Sequence, residues 1–295
     1  MHSERRFTSF EIDLIILYLS RKDTLQRLTL ANHFEYKYKL TTPIFSFNKL
    51  EFLTLKKLVF KPRLTFNSFS TLRYLRFDDN VEITTKSLKH ILTNCPLLKE
   101  LYLHGKKEIG DKDNGGIAEE DTLTFIELFI SSPSLENLEI EKYYMEHFST
   151  LDMPLRLPIL LVHLKALYLG VSFMEQHQLL CCFCLIRSSP NLTNFTVKNE
   201  QLSESRSIRP HPMRRQSHPQ TQCDVTVTVG NGLTMDSLDL QEGSNFKLDH
   251  LHKLEMRNFS YLPSEVDLLK LIMNQACVLQ KILIELKENY PVTKN

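Results

Sequence analysis

Several features are missing from the sequence, and their absence excludes some classes of function before any motif is considered. It has no excess of either charge, since 36 lysines and arginines stand against 35 aspartates and glutamates, for a net charge of +1. Such a balance gives no global field that would favour nucleic acid or an acidic substrate. No apolar run approaches a membrane span, and Met1–Arg6 is polar and basic with no apolar signal core after it. These absences predict a soluble intracellular protein, cytoplasmic or nuclear, with neither a membrane nor a nucleic-acid partner.

The six cysteines do not form a disulfide framework, because their spacing is irregular and three of them are crowded together. His177, Cys181 and Cys184 fall at i, i+4 and i+7 of a predicted helix over Gln176–Arg187, which places three metal-ligand types on one face. A closed metal site needs a fourth ligand and none is evident, so no metal is predicted. Cys182 holds a helix position that is apolar in other repeats. It is predicted to be a core residue and its cysteine neighbours to be surface thiols.

Catalytic motifs are also missing. The sequence has no glycine-rich phosphate loop, no G-x-S-x-G and no H-E-x-x-H. Carboxylates and histidines are scattered where loops and strand faces are expected. The sequence therefore predicts no catalytic residue and no cofactor, and the protein is not expected to be an enzyme.

What the sequence has instead is a repeat, seen most clearly in Leu88–Leu103 (LKHILTNCPLLKELYL). Its first half puts Leu88, Ile91 and Leu92 on one face of a helical turn, and Pro96 ends that helix. Its second half, L-x-x-L-x-L, alternates as a half-buried strand does. A helix, a tight break and a strand together make one unit of a leucine-rich repeat.

The strand half recurs nine times, and four copies follow a similar helix end. The first three steps are 25, 22 and 26 residues, within the 20–29 that leucine-rich repeats use, while longer steps need insertions. The nine copies begin at Leu25, Leu50, Leu72, Leu98, Leu135, Leu164, Leu192, Leu251 and Leu279. The predicted fold class is α/β: a leucine-rich-repeat solenoid with a parallel concave sheet, outer helices and irregular repeats.

The repeats resemble a known family. Leu50–Phe60, Leu72–Leu103 and Leu128–Ile140 look like the degenerate repeats of plant F-box/LRR proteins, and Leu251–Leu286 resembles the FBD segment that ends many of them. The resemblance implies that the repeats recruit a target protein to an SCF-type ubiquitin ligase. Phe10–Leu30 already matches the stretch that follows the F-box in this family. The chain is therefore expected to lack the F-box and not to bind the ligase adaptor.

The domain organisation follows from the repeats and the resemblance. Residues 1–199 are predicted to be leucine-rich repeats, and residues 246–295 FBD-like C-terminal repeats. Residues 200–223 carry three prolines, several arginines and almost no large apolar residue, which predicts a flexible basic insertion. Residues 224–245 are predicted to form an irregular repeat or a loop.

Candidate binding residues come from the alternation within each strand. The leucines point into the core, so the intervening side chains point to the opposite, concave surface. The candidates are Phe52, Tyr74, Arg76, Tyr102, Glu139 and Tyr168. Aromatic residues and arginine are common anchors of protein interfaces, although aromatic residues also simply suit the surface of a sheet.

Three functional hypotheses remain open at this point. The first is a non-enzymatic protein-interaction module that recognises the target of a ubiquitin ligase. The second is a sensor that binds a small, hormone-like molecule on the concave face. The third is a truncated gene fragment without ligase function.

Overall fold

The computed structural model describes residues 9–22, 24–33, 38–60, 69–79, 81–105, 125–148, 154–200 and 246–287. Contacts divide the chain into two units, Met1–Glu200 with Phe246–Asn295 and, separately, Gln201–Asn245. The second unit lies outside the described residues. The predictions for 224–245, and for 200–223 apart from Glu200, are therefore untested and stay predictions.

All nine leucine segments predicted from the sequence are strands of one parallel sheet. The strands in chain order are β1 (Arg27–Ala31), β2 (Tyr38–Leu40), β3 (Phe52–Lys56), β4 (Leu58–Phe60), β5 (Tyr74–Asp78), β6 (Glu100–Leu103), β7 (Asn137–Ile140), β8 (Ala166–Val171), β9 (Asn194–Asn199), β10 (Lys253–Phe259) and β11 (Lys281–Leu286). The large sheet runs β1-β3-β5-β6-β7-β8-β9-β10-β11, and β2 with β4 forms a separate two-stranded sheet. The large sheet is not closed, since β1 and β11 are its edges. The α/β class is confirmed, while the solenoid form and the concavity stay predictions.

Helices connect several of these strands. Those in the described part of the chain are α1 (Ser9–Ser20), α2 (Thr85–Thr93), α3 (Phe125–Ser131), α4 (Lys142–Phe148), α5 (Gln176–Ser188) and α6 (Pro263–Gln275), with a short 3-10 helix at Thr42–Ser46. The helix ends predicted before Leu98, Leu135, Leu192 and Leu279 correspond to α2, α3, α5 and α6. Helix α4, which follows β7 directly, was not predicted. In the described part of the chain, no helix is long and apolar enough to cross a membrane.

The repeat around Pro96 shows why the sequence folds this way. The last turn of α2 closes when the Cys95 N–H donates to the Leu92 carbonyl at 3.1 Å. The segment that follows has three side chains fully buried in the core: Leu98, Leu101 and Leu103. Burying each leucine contributes about 2 kcal/mol, which favours this alternation over any register shifted by one residue.

A repeated hydrogen-bond pattern holds the strands in register. Just before β6, the N–H groups of Lys99 and Glu100 both donate to the Arg73 carbonyl, at 2.9 and 3.0 Å. The same arrangement, one carbonyl accepting from two successive N–H groups, recurs between every pair of neighbouring strands in the large sheet. Each strand therefore begins at the same position relative to its neighbour, so equivalent residues of successive repeats lie side by side.

The apolar alternation that starts at Leu50 continues to Phe60 in the sequence, but the structure divides it between β3 and β4. The strand stops at Lys56, because Lys57 has a φ of 49°, in the left-handed region that turns the chain. The chain then continues as β4, which belongs to the small sheet. Leu58 and Phe60 remain core residues, since both are buried there.

The prediction for the cysteines of α5 is half right. Cys182 is buried as predicted, but Cys181 and Cys184 are buried as well and are not surface thiols. Helix α5 is covered on most sides, and Phe183 and Leu185 are buried too. Burial raises the pKa of Cys182 to about 12, so its thiol stays protonated at neutral pH.

The last strand is covered less well than the others. Ile282, Ile284 and Leu286 on β11 are 42, 37 and 57% exposed. Within the described residues β11 pairs only with β10, because it forms the edge of the sheet. The leucine pattern therefore predicts this strand correctly but does not predict full burial of its side chains.

Candidate functional site

The side of the large sheet that faces away from the leucines carries all the candidate residues. We call it the outward face. The register places the predicted middle positions in one row across the sheet: Thr29, Thr54, Arg76, Tyr102, Glu139, Tyr168, Thr196, Glu255 and Leu283. The positions two residues earlier form a parallel row: Arg27, Phe52, Tyr74, Glu100, Asn137, Ala166, Asn194, Lys253 and Lys281. All six candidates are half-buried on this face, so the predicted strand register is confirmed. Their binding role stays a prediction.

Three of the candidates form an aromatic ladder: Phe52, Tyr74 and Tyr102. Their ring centroids are 5.8 Å apart from Phe52 to Tyr74 and 5.0 Å apart from Tyr74 to Tyr102. The Arg27 guanidinium lies 3.7 Å from the centre of the Phe52 ring, a cation–π geometry. A continuous strip of flat, amphipathic surface therefore crosses β1, β3, β5 and β6.

Arg76 joins this ladder to a charged network. Its Nε donates to Asp78 Oδ2 at 3.0 Å, and its Nη2 lies 3.1 Å from His104 Nδ1. Lys56 also pairs with Asp78, at 3.1 Å. Partial burial favours the neutral acid, but the hydrogen bonds from Arg76 and Lys56 outweigh it and lower the pKa of Asp78. Arg76 is therefore held in place by contacts at both its Nε and its Nη2 atoms.

His104 continues the network to the next strand. Its Nε2 lies 2.8 Å from Glu139 Oε2, so the imidazole bridges Arg76 on β5 to Glu139 on β7. Burial disfavours the charged ring, yet the hydrogen bond to Glu139 and the field of Glu141 raise the pKa of His104 overall. The Tyr102 hydroxyl donates to Glu100 at 2.7 Å. The candidate side chains of β5 to β7 are thus fixed by their neighbours.

Beyond β6 the outward face opens into a groove of about 610 Å³. Its lining includes Tyr102, His104, Glu139, Glu141 and Tyr168. Tyr168 lies in the middle row next to Glu139, so two of the predicted tyrosines stand on either side of one carboxylate. Burial and the carboxylates around it raise the pKa of Tyr168, which keeps its hydroxyl protonated.

Strand β10 supplies the far wall of the groove. Glu255 is only 5% exposed, although it lies on the outward face. It accepts from Lys253 Nζ at 2.5 Å and from Arg257 Nη2 at 2.7 Å. The hydrogen bond from Lys253, supported by Arg257, lowers the pKa of Glu255. One buried carboxylate thus fixes two cations at the wall.

Sequence reasoning placed Lys253 and Glu255 on the outward face without making them candidates, and it missed Arg257 and the third outward row to which Arg257 belongs. The row follows the middle row by two residues and contains Lys56, Asp78, His104, Glu141, Gly170, Lys198, Arg257 and Glu285. Extending the period-two alternation by one step would have found it. It is the most charged of the three rows, so the outward face is more polar than the aromatic candidates alone indicated.

The outward face carries side-chain types that are typical of recognition surfaces. It offers flat aromatic rings, fixed cations and carboxylates with free lone pairs. Among the described residues, no group of three or more histidine, cysteine, aspartate or glutamate side chains is arranged to hold a metal ion.

Comparison with known proteins gives two matches to one family. Residues 16–155 match the model for the LRR repeats of the FBD-associated F-box protein At5g56370. The chain is also similar to the F-box/FBD/LRR-repeat protein At1g13570 of Arabidopsis thaliana, with 23% identity over 329 residues that cover 96% of this chain and 72% of that protein. No solved structure matches the chain. Neither match shows an F-box here. In its repeats, their register and these two matches, the chain is similar to the F-box/FBD/LRR-repeat family.

Proposed function

We propose that this chain is a non-enzymatic protein-interaction module and that its outward face binds a target protein. The observation that carries the proposal is the continuity of this face. The aromatic ladder, the Arg76–His104–Glu139 network and the groove adjoin one another across β3 to β10. Half-buried tyrosines and a held arginine are the side chains that most often anchor protein interfaces.

Within this proposal the chain is the target-recognition part of an SCF ubiquitin-ligase F-box protein, working in the cytoplasm or nucleus. The similarity to F-box/FBD/LRR-repeat proteins supports this assignment. The ligase adaptor itself would be bound by an F-box, which is a different element from the repeats. The outward face is thus assigned to the target and not to the adaptor.

A small-molecule sensor is the second candidate, because the groove volume of about 610 Å³ lies within the range of ligand pockets. Such pockets are mostly apolar and enclosed. This groove is lined by several paired charges, and the sheet that carries it is open at both edges. A protein surface matches a polar, open groove better than a small apolar ligand does.

The test replaces Tyr102 and Tyr168 together with alanine. Losing two interface aromatics is expected to weaken target binding by about 2 kcal/mol or more. The cost in stability is expected to be about 1–2 kcal/mol, because Tyr102 also loses its ring contact with Tyr74 and its hydrogen bond to Glu100. The measurements are a quantitative pull-down from cell extract, with the parent chain as reference, and thermal melts of both proteins.

Leu101→Ala is the matched control, one residue away but pointing into the core. Leu101 is fully buried, so its truncation should cost about 2–5 kcal/mol of stability. A double tyrosine variant that is folded and keeps every partner of the parent would refute the proposed binding face.

A further inference from the structure

The groove carries opposite charges at its two ends. At one end Glu139 lies on β7 and Glu141 directly follows this strand, with the His104 ring hydrogen-bonded to Glu139. At the other end Lys253 and Arg257 lie on β10. Three strand steps separate β7 from β10, and neighbouring strands are about 4.8 Å apart, so the two ends are about 14 Å apart.

At each end of the groove, the charged side chains are only partly paired with other side chains of the same chain. At the β10 end Glu255 accepts from both Lys253 and Arg257, while Glu285 on β11 lies 3.9 Å from Arg257 Nε, too far for a hydrogen bond, so Arg257 can still donate to a ligand. Lys198 and Glu200 form a neutral pair between the ends, 2.8 Å apart.

At the β7 end, two carboxylates share the groove with one histidine. Glu141 accepts from the Gly105 N–H at 3.1 Å, and Glu139 is hydrogen-bonded to His104 at 2.8 Å. Burial and the nearby Glu200 carboxylate raise the pKa of Glu141. The cations beyond His104, Arg76 and Lys56, are engaged by Asp78 outside the groove. Among the described residues, neither Glu139 nor Glu141 pairs with a lysine or arginine, so a cationic side chain of a ligand could pair with them.

Two tyrosines shape the acidic end for a long basic side chain. Tyr102 and Tyr168 are one strand to either side of Glu139 in the middle row, so their positions are about 10 Å apart. Aromatic faces attract a guanidinium or ammonium group and also pack against the methylene stem that carries it. Glu139 lies between them, where it can pair with that group.

From this arrangement we infer that the groove binds an extended segment of the partner protein, with a lysine or arginine side chain over Glu139 and an aspartate or glutamate side chain at Arg257. An extended chain rises about 3.3 Å per residue, so a span of about 14 Å corresponds to a spacing of about four residues. The inference rests on the proposed function and names the chemistry of the partner at the same site.

The test begins with a phage-displayed library of random peptides, about twelve residues long, selected on the full chain. Enriched peptides should carry a basic and an acidic residue about four positions apart. The best of them is then titrated by fluorescence anisotropy against the parent, Glu139→Lys and Lys253→Glu. Each reversal should weaken binding about tenfold or more, because it sets like charges against each other.

Two charge reversals away from the groove serve as matched controls. Glu146 on α4 and Lys270 on α6 have side chains that are 40 and 70% exposed. Glu146→Lys and Lys270→Glu make the same changes in net charge, and both should bind the peptide within about twofold of the parent. Melting curves check that every variant is folded. If Glu139→Lys does not fold, Glu139→Gln is used, with a smaller loss of affinity still expected.

Some results would overturn the inference and leave the proposed function standing. These are a selection that enriches no peptide, peptides without the charge pair, or equal affinity for parent and reversals, while the double tyrosine variant still loses its partners. Retention of all partners by the tyrosine variant would instead refute the proposed function itself. A gain of affinity for a charge-swapped peptide by Glu139→Lys would support the inference most directly.

Discussion

Glu265 should be among the most sensitive positions for stability, although it is an acidic residue. It is only 1% exposed, at the start of α6. Its Oε1 accepts from Asn199 Nδ2 at 2.6 Å, and its Oε2 accepts from the N–H groups of Ser260 and Leu262, both at 2.9 Å. Asn199 ends β9, so this carboxylate ties the strands on either side of residues 201–245 together.

Replacing Glu265 with alanine would remove one acceptor group that serves three donors. A buried donor left without a partner costs about 1–3 kcal/mol, and water entering the vacated space would recover part of that cost. We therefore expect Glu265→Ala to lower the free energy of unfolding by about 3–5 kcal/mol. Urea unfolding followed by far-ultraviolet circular dichroism measures the change.

The Glu265→Gln variant removes the charge but keeps a side chain that can form hydrogen bonds. It therefore distinguishes the contribution of the charge to stability from that of the hydrogen bonds. The glutamine oxygen can accept from the Ser260 and Leu262 N–H groups, while its amide nitrogen faces Asn199. Among the described residues the Asn199 Oδ1 has no hydrogen-bond partner, so the Asn199 amide can turn over and accept from the glutamine. We expect a loss of only about 1 kcal/mol, since the charge-assisted bonds become neutral ones. If alanine and glutamine cost the same, or alanine costs less than about 1 kcal/mol, the reasoning about the three donors is wrong.

Two other substitutions test local features of the sheet. A Cβ added at Gly170 would lie 2.9 Å from the backbone nitrogen of Lys142, so Gly170→Ala should lower stability by about 1–3 kcal/mol in thermal melts. A cost below about 0.5 kcal/mol would show that this junction can shift. Glu136 accepts hydrogen bonds from Lys165 and Lys99 on either side, which lower its pKa to about 2. A lowered pKa stabilises the fold above the ordinary value of 4.5, and this contribution is lost as the pH falls through about 2. Glu136→Gln should thus cost up to about 1 kcal/mol at pH 7, and the difference from the parent should vanish near pH 2. A difference that is independent of pH would exclude the ion pairs as its cause.

The strands and their register could be predicted from the sequence because one physical constraint repeats. In the seven inner strands of the large sheet each L-x-x-L-x-L buries three side chains, and a shift by one residue would expose all three to water. The shared carbonyl before each strand, such as that of Arg73 before β5, accepts from the start of the next strand, here β6, and so aligns successive repeats. Tyr102 and Glu139 are neighbours for this reason alone, although 37 residues separate them in the sequence.

The elements that could not be predicted depend on contacts outside the repeat pattern. The turn at Lys57 interrupts an apolar run that otherwise continues to Phe60. In the described part of the other repeats helix α4 has no counterpart, and it is positioned in part by Tyr144, whose hydroxyl donates to the Val81 carbonyl, 63 residues away. The burial of Cys181 and Cys184 likewise reflects cover on several sides of α5, which the helical period alone does not reveal.

The charged network shows why the outward face is harder to predict than the core, and also why it suits recognition. A core leucine needs only an apolar environment, which every repeat provides. An outward side chain such as His104 needs particular partners, and those lie on other repeats, 28 residues before it at Arg76 and 35 after it at Glu139. Sequence periodicity predicts that these side chains share a face, but not that they bond to one another. Those bonds hold the side chains in place before a partner arrives, so less conformational entropy is lost on binding than with free surface side chains. The leucines of each strand stabilise the fold, so the outward positions of the same strand can hold a different residue in each repeat. The pairing of those outward residues across strands can make such a surface specific for one partner.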